Sequence, residues 1–259
     1  MQLIMPMAGL GSRFAVAGYK TPKPLIPIAG VPMVVRVVRD LPPAERIVCM
    51  VHPDHVRDHR IGETLRDYLP QVRVLPTPGL TRGQACTVRL AATAVDSAQP
   101  VLVAACDATH LYDRQRFERL CADPSIETII WTYRRQPHVL ASPQSYGWVR
   151  TAGDGIDVCE VSCKRPVSDQ PLNDHVISGF FWFRTAGGLF AAIDRLVEED
   201  RQVRGEYYLD VVPNVQIAAG RRVVVFEVEQ YIGWGTPDDL ETFQRWERYF
   251  RTLGEPALV

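Results

Sequence analysis

Pro6-Met7-Ala8-Gly9-Leu10-Gly11-Ser12-Arg13-Phe14 closes an apolar segment that starts at Leu3, and Thr21-Pro22-Lys23-Pro24-Leu25 follows it closely. An apolar run that halts at a glycine-rich turn reads as the first strand of an α/β sheet, buried on both faces, with a turn that a ligand can approach. Gly9 and Gly11 leave no side chain between backbone N–H groups and an anion. Arg13 adds a fork of donors, and Lys23, held between two prolines, adds a positioned point charge. Glycines alone would describe a tight βα turn before a proline-rich bend; glycines together with Arg13 and Lys23 favour a phosphate site.

Outward from that stretch, apolar runs recur at 46–51, 72–75 and 100–106, bounded by proline, glycine or charge. Helical patterning separates them at 33–41, at 54–69 behind an N-cap Asp54, and at 84–95. The alternation predicts a doubly wound, Rossmann-like sheet, mixed but mostly parallel, with its ligand site outside the carboxyl ends of the strands. The loops after Met7 and Cys106 therefore carry the most weight. Asp107 at a strand end is either a metal carboxylate or the cap of a helix over 112–120.

Beyond Trp131 the pattern shifts to short strands at 147–150, 156–161 and 176–183, helices at 189–199 and 208–219, and a late strand at 223–229. Thr236, Pro237 and Asp239 form a capping-box start for a last helix that ends near Phe250 before a short tail. Trp131, Phe180, Phe181 and Trp182 are core candidates. With no repeat, low-complexity tract or linker, residues 1–259 read as one catalytic unit.

Composition narrows the partners. The 259 residues are 46% hydrophobic, enough for a full core, and 29 Lys+Arg against 30 Asp+Glu leave a net charge of -1. That balance excludes the basic excess that draws proteins to nucleic acid or anionic membrane. The opening apolar stretch is too short and lacks the basic flank of a signal peptide, and no segment is long enough for membrane insertion. Six cysteines sit mostly in apolar runs, as reduced core thiols do in a cytoplasmic protein. His52, His55 and His59 imitate a metal cluster but lack a His-Glu-x-x-His pattern, so they read as a solvated helix face. Glu198-Glu199-Asp200 reads as a solvated helix end.

The first stretch resembles the signature of the sugar-1-phosphate nucleotidyltransferases, the pyrophosphorylases with a G-x-G-S/T-R loop and a downstream P-K, especially small bacterial surface-glycan members that begin PMAG-x-GSRF and continue PKPLI. Further similarities span most of the chain: Thr81-Arg82-Gly83-Gln84-Ala85, Asp107, Tyr146-Gly147-Trp148-Val149, Lys164, Ile177-Ser178-Gly179-Phe180, Gly205-Glu206-Tyr207-Tyr208-Leu209 and Trp234-Gly235-Thr236-Pro237. The resemblance implies a glycosyltransferase-A-like fold, with an NTP-binding half over about 1–130 and an acceptor half with the last helix over about 131–259. It implies transfer of NMP from CTP, UTP, dTTP or GTP to a small phosphorylated acceptor, with release of pyrophosphate and use of Mg²⁺, in the making of capsule or surface-glycan precursors. It assigns NTP contacts to Ala8, Gly9, Gly11, Ser12, Arg13, Lys23, Gly83 and Gln84. Acceptor contacts fall to Gly147, Lys164, Arg165, Gly179 and Glu206. Arg13, Lys23 and Asp107 take the catalytic roles, Asp107 as metal ligand.

Two departures stand out. Cys163 replaces the acidic residue that usually precedes the acceptor lysine, so the acceptor pocket is expected to differ from a hexose-phosphate one. Gly233 stands where many relatives carry a second metal aspartate, which leaves one carboxylate for the ion; the nearest acidic replacements are Glu229, four residues earlier near a strand end, and Glu206 or Asp210 of the G-E-Y region, of which Glu206 reads as an acceptor contact and Asp210 as facing solvent. Without the resemblance Lys164 is an exposed lysine beside a turn. A non-sugar acceptor used with CTP, such as a phospho-amino compound or phosphocholine, is the alternative substrate. A catalytically silent regulatory subunit is the rival from another class, against which the retention of Arg13, Lys23, Asp107 and Lys164 argues. A Rossmann oxidoreductase is disfavoured, since Phe14 holds the third glycine position and the second strand ends Met50-Val51-His52 without an acid for a ribose. The sequence permits a homo-oligomer without fixing one.

Overall fold

A computed structural model of the protein describes residues 1–153 and 155–254. The strands are β1 (Gln2–Met7), β2 (Pro27–Ile28), β3 (Val31–Pro32), β4 (Arg46–Val51), β5 (Val72–Pro76), β6 (Val101–Ala104), β7 (Ala108–Leu111), β8 (Ile126–Tyr133), β9 (Gly147–Thr151), β10 (Val158–Cys163), β11 (His175–Phe183), β12 (Arg222–Glu227) and β13 (Gln230–Gly233). The helices are α1 (Ser12–Val16), α2 (Met33–Asp40), α3 (Pro53–His59), α4 (Ile61–Tyr68), α5 (Gln84–Arg89), α6 (Arg114–Ala122), α7 (Ala186–Glu198), α8 (Val212–Ala218) and α9 (Pro237–Gly254).

Nine strands form one sheet in the order β10-β9-β11-β6-β1-β4-β5, with β8 on β11 and β12 on β8. The block β6-β1-β4-β5 is parallel, and so is β12 on β8, whereas β11 runs antiparallel to β6, β8 and β9. Consecutive residues of each central strand enter opposite cores, as the two-residue period of a strand requires. Leu3, Met5, Ile47 and Cys49 join one cluster with Val34 of α2, Leu65 of α4 and Phe117 of α6. Ile4, Val48 and Met50 join the other with Val88 of α5, Leu189 of α7 and Val212 of α8. This is the three-layer, doubly wound α/β arrangement expected from the sequence.

Four details differ from the sequence reading. The 54–69 helix is two helices, broken at Arg60 in the left-handed region (φ 49), and its first cap is His52, whose side chain accepts from the Asp54 N–H. His52 and His55 are buried rather than solvated, at 8% and 7% exposure. Asp200 is not merely solvated, since it accepts the Tyr207 hydroxyl at 2.6 Å. The sequence reading places no strand at 126–133, yet β8 is the buried strand that joins β11 to β12. Elsewhere the core candidates Trp131, Phe180, Phe181 and Trp182 are all at most 2% exposed. The capping box forms, with the Asp239 N–H donating to Thr236 Oγ1 and the Thr236 N–H donating to Asp239 Oδ2, both at 3.1 Å. α9 runs four residues past Phe250, and residues 255–259 of the expected tail lie outside the described residues.

Candidate functional site

Strand order reverses at β1, with β4 beside it on one side and β6 parallel to it on the other, so a crevice opens past their carboxyl ends. β11 deepens it. Its first residues, His175 and Val176, pair with β9, while Phe180–Phe183 pair with β6 along the same edge. Gly179 occupies the changeover in the left-handed region (φ 89), its carbonyl accepts the Ala105 N–H at 3.1 Å, and a Cβ there would lie 3.1 Å from that of Ala105. A side chain at 179 would therefore wedge the strands where the crevice has its floor.

Asp107 lies in the short loop after β6, immediately before β7. The helix behind it is capped by Asp113, which accepts from the Arg116 N–H, and β7 intervenes, so the helix-cap reading of Asp107 falls away. Its carboxylate instead forms an ion pair with Lys23, both groups being partly buried. Burial pulls the Lys23 pKa down, but Asp107 beside it outweighs that effect and leaves the ammonium above its ordinary value. Gly11, in the left-handed region (φ 61), packs on Lys23, and a Cβ there would lie 3.3 Å from that of Lys23. The glycine turn and the lysine thus form one unit, with Gly9 and Ser12 exposed and Ala8 buried beneath them.

A small antiparallel pairing of β13 with β7 completes this end. It sets Gly233 opposite Ala108, and the Trp234 N–H donates to the Asp107 carbonyl at 2.7 Å. A Cβ on Gly235 would come within 3.1 Å of Asp107 Oδ2, so a carboxylate would have room here only at the cost of that glycine. Gly233 does abut Asp107, and the space its side chain would need holds the ring of Tyr231. Tyr231 stacks on Tyr133 with centroids 4.3 Å apart at 13°, and burial, then Asp107 and Asp239, hold its phenol well above the ordinary pKa.

On the acceptor side, Asp210 turns into the crevice instead of facing solvent, which corrects the sequence expectation. A Cβ on Gly147 would collide with its carboxylate, so glycine is required there. Burial raises the Asp210 pKa while nearby Lys164 opposes the rise, and the adjacent Cys163 thiol is pushed to about 12 by burial and by that carboxylate. The Asp210 carboxylate thus lies beside Cys163. Lys164, in the left-handed region (φ 64), donates to the Ser145 carbonyl at 2.8 Å and lies over the Tyr208 ring at 5.1 Å.

Gly83 belongs to a different contact. The Tyr207 N–H donates to the Arg82 carbonyl (2.8 Å) and the Tyr207 carbonyl accepts the Ala85 N–H (3.0 Å). A Cβ on Gly83 would stand 2.5 Å from the Tyr207 oxygen, and φ 126 with ψ 172 is backbone that glycine almost alone adopts. Gly83→Ala is expected to lower the thermal midpoint by about 4–8 °C, the shift that about 2 kcal/mol of overpacking gives in a chain of this size. Calorimetry of the variant checks this, and an unchanged midpoint would refute the backbone contact.

The crevice is a cavity of about 1300 Å³, roomier than a single small-molecule pocket. Arg13, Asp107, Gly147 and Gly179 line it, whereas Lys23, Lys164 and the exposed Arg165 and Glu206 stand outside its lining. Gly83 and Gln84 sit at the start of α5, beside the exposed Glu206. Among the described residues no three His, Cys, Asp or Glu side chains gather as a metal set, and no helix is long and apolar enough to cross a membrane. The sequence reading missed Tyr231, His138 and Trp246, which line the cavity; their only signal was an excess of aromatics beyond Trp131.

The sequence profile of the MobA-like NTP transferase domain matches residues 4–179. Among solved structures, the nucleoside-diphosphate-sugar pyrophosphorylase from Vibrio cholerae RC9 is similar, with a TM-score of 0.73, 19% identity, and coverage of 94% of this chain and 99% of that one. The inositol-1-phosphate CTP transferase from T. maritima is similar at a TM-score of 0.71 and 17% identity, over 95% of each chain. No curated protein matches the chain in sequence.

Proposed function

From the premise that the chain belongs to the MobA-like NTP transferase family and is a nucleotidyltransferase, we propose that it joins NMP to a small phosphate monoester, a sugar or polyol phosphate, and releases pyrophosphate. The carrying observation is the joined unit of glycine turn, Lys23 and Asp107 at the end of β6, opening into a cavity that Arg13 borders. An acceptor phosphate oxygen bonds to the α-phosphorus while the bond to the β-phosphate bridging oxygen breaks and pyrophosphate departs. Two anions must meet for this, so positive charge and alignment are the main requirement. Backbone N–H groups of the turn, Arg13 and Lys23 receive the triphosphate, while Lys164, which donates to the Ser145 carbonyl of the cavity wall, is assigned the acceptor phosphate with Arg165 as its helper. The attacking phosphate is already ionised near neutral pH and needs no general base.

The donor set suits Mg²⁺ held by Asp107 alone, because that ion takes one or two carboxylates and fills its shell with phosphate oxygens and water. Bound there, it would neutralise triphosphate charge. Lys23 is ion-paired with the Asp107 carboxylate, which holds its ammonium at the mouth of the proposed triphosphate site. The resemblance to surface-glycan enzymes supports an activated capsule or glycan precursor as the product, made in the cytoplasm.

A second reading concerns the acceptor. Asp210, Asp238 and Asp239 with the rings of Tyr146, Tyr231 and Trp246 make the cavity acidic and aromatic. Such walls suit a cation, so a phospho-amino compound or phosphocholine, activated with CTP, is favoured over a neutral polyol phosphate by this lining. A matrix of CTP, UTP, dTTP and GTP against neutral and cationic phosphate monoesters, read by pyrophosphate release, tests both. Release with at least one pair is expected, and none with any pair would defeat the transfer reading.

A further inference from the structure

Tyr231 lines the cavity, and the side chains that hydrogen-bond to it among the described residues, Gln136 and Gln230, donate to its backbone carbonyl and not to its hydroxyl. Its ring is fixed by the stack on Tyr133 and by His138 at 6.1 Å. It stands beside Asp107, whose own charge Lys23 already engages. A phenol is a donor as well as an acceptor, and one held rigid with its donor unspent is preorganised for an anion.

We propose that Tyr231 donates its hydroxyl hydrogen to a reacting phosphate, so that a neutral donor works where Gly233 offers no carboxylate. This rests on the transfer reading above. The space argument is what ties the two positions together: a Cβ on Gly233 would fall 2.8 Å from both the Tyr231 hydroxyl and its ring. Glycine at 233 is therefore the condition for the phenol to lie where it does. The phosphate is either the α-phosphate of the NTP or that of the acceptor, and the two are separable by kinetics.

Tyr231→Phe keeps the stacked ring and removes only the oxygen. Its thermal midpoint is expected to match the parent, with a loss of roughly 10–100-fold in kcat/KM, the range for one hydrogen bond to a charged group. A loss confined to NTP kinetics assigns the contact to the α-phosphate, and one confined to acceptor kinetics assigns it to the acceptor. Gly233→Ala is expected to displace the ring and give a similar loss, with the double variant no worse than the poorer single. Tyr231→Phe with parental kinetics, or losses that multiply in the double variant, overturns the proposal while the transfer reading stands. A parent protein that releases no pyrophosphate from the full matrix overturns both.

Discussion

Lys23→Ala is expected to lower turnover roughly 10²–10⁴-fold at saturating NTP and acceptor, the rate equivalent of about 3–5 kcal/mol of transition-state stabilisation. The expectation comes from where the ammonium is kept. It is partly buried against Asp107, packed under Gly11, and held between Pro22 and Pro24, so the position of its charge is fixed by its surroundings. Removing it also strips Asp107 of its partner, so the thermal midpoint should be measured beside the rate. A midpoint near the parent's with a collapsed rate isolates the charge effect. Near-normal turnover would refute the assignment.

Asp107→Asn is expected to nearly abolish turnover, which in the parent should require a divalent cation and stop on chelation. Asn keeps the size and one oxygen but loses the charge a hard cation needs. Glu229→Gln is the matched control. Glu229 lies just before β13, at the Leu111 end of the β13–β7 ladder, while Gly233 and Asp107 stand at the other. Asp239, nearer the cavity, already accepts from Thr236 as the capping-box acid. A Glu229 variant as impaired as the Asp107 variant, or activity without any divalent cation, would refute the single-carboxylate arrangement.

The placement of Arg13 and Asp107 at the crevice, and of Lys23 beside Asp107, was readable because it is local: a glycine turn, two flanking prolines and a strand end all lie within a few residues of the side chain concerned. Asp210 was not, because its entry into the crevice depends on Gly147 lacking a side chain far away in sequence. Tyr231 depends on a strand pairing that joins residues 108–111 to 230–233, and no period along the chain announces it. The strand 126–133 is a different failure. Its β-branched and aromatic run carried the ordinary signal for a buried strand, but the run crosses the point where the pattern of the chain changes. His52 and His55 were misjudged because His52 caps α3, accepting from the Asp54 N–H, and His55 turns inward on its first turn, so both are buried.

α9 has a bearing on the order in which the molecule becomes competent. Every strand described ends by Gly233, whereas Asp238, Asp239, Thr242, Phe243 and Trp246 of the following helix wall the cavity. A polypeptide leaving the ribosome amino end first thus has the whole sheet available before this wall exists. The glycine turn at residues 8–13 is made first and the enclosure last. A nascent or proteolytically shortened chain that stops before Pro237 would keep its strands and its Lys23–Asp107 pair while its reaction chamber stood open to water.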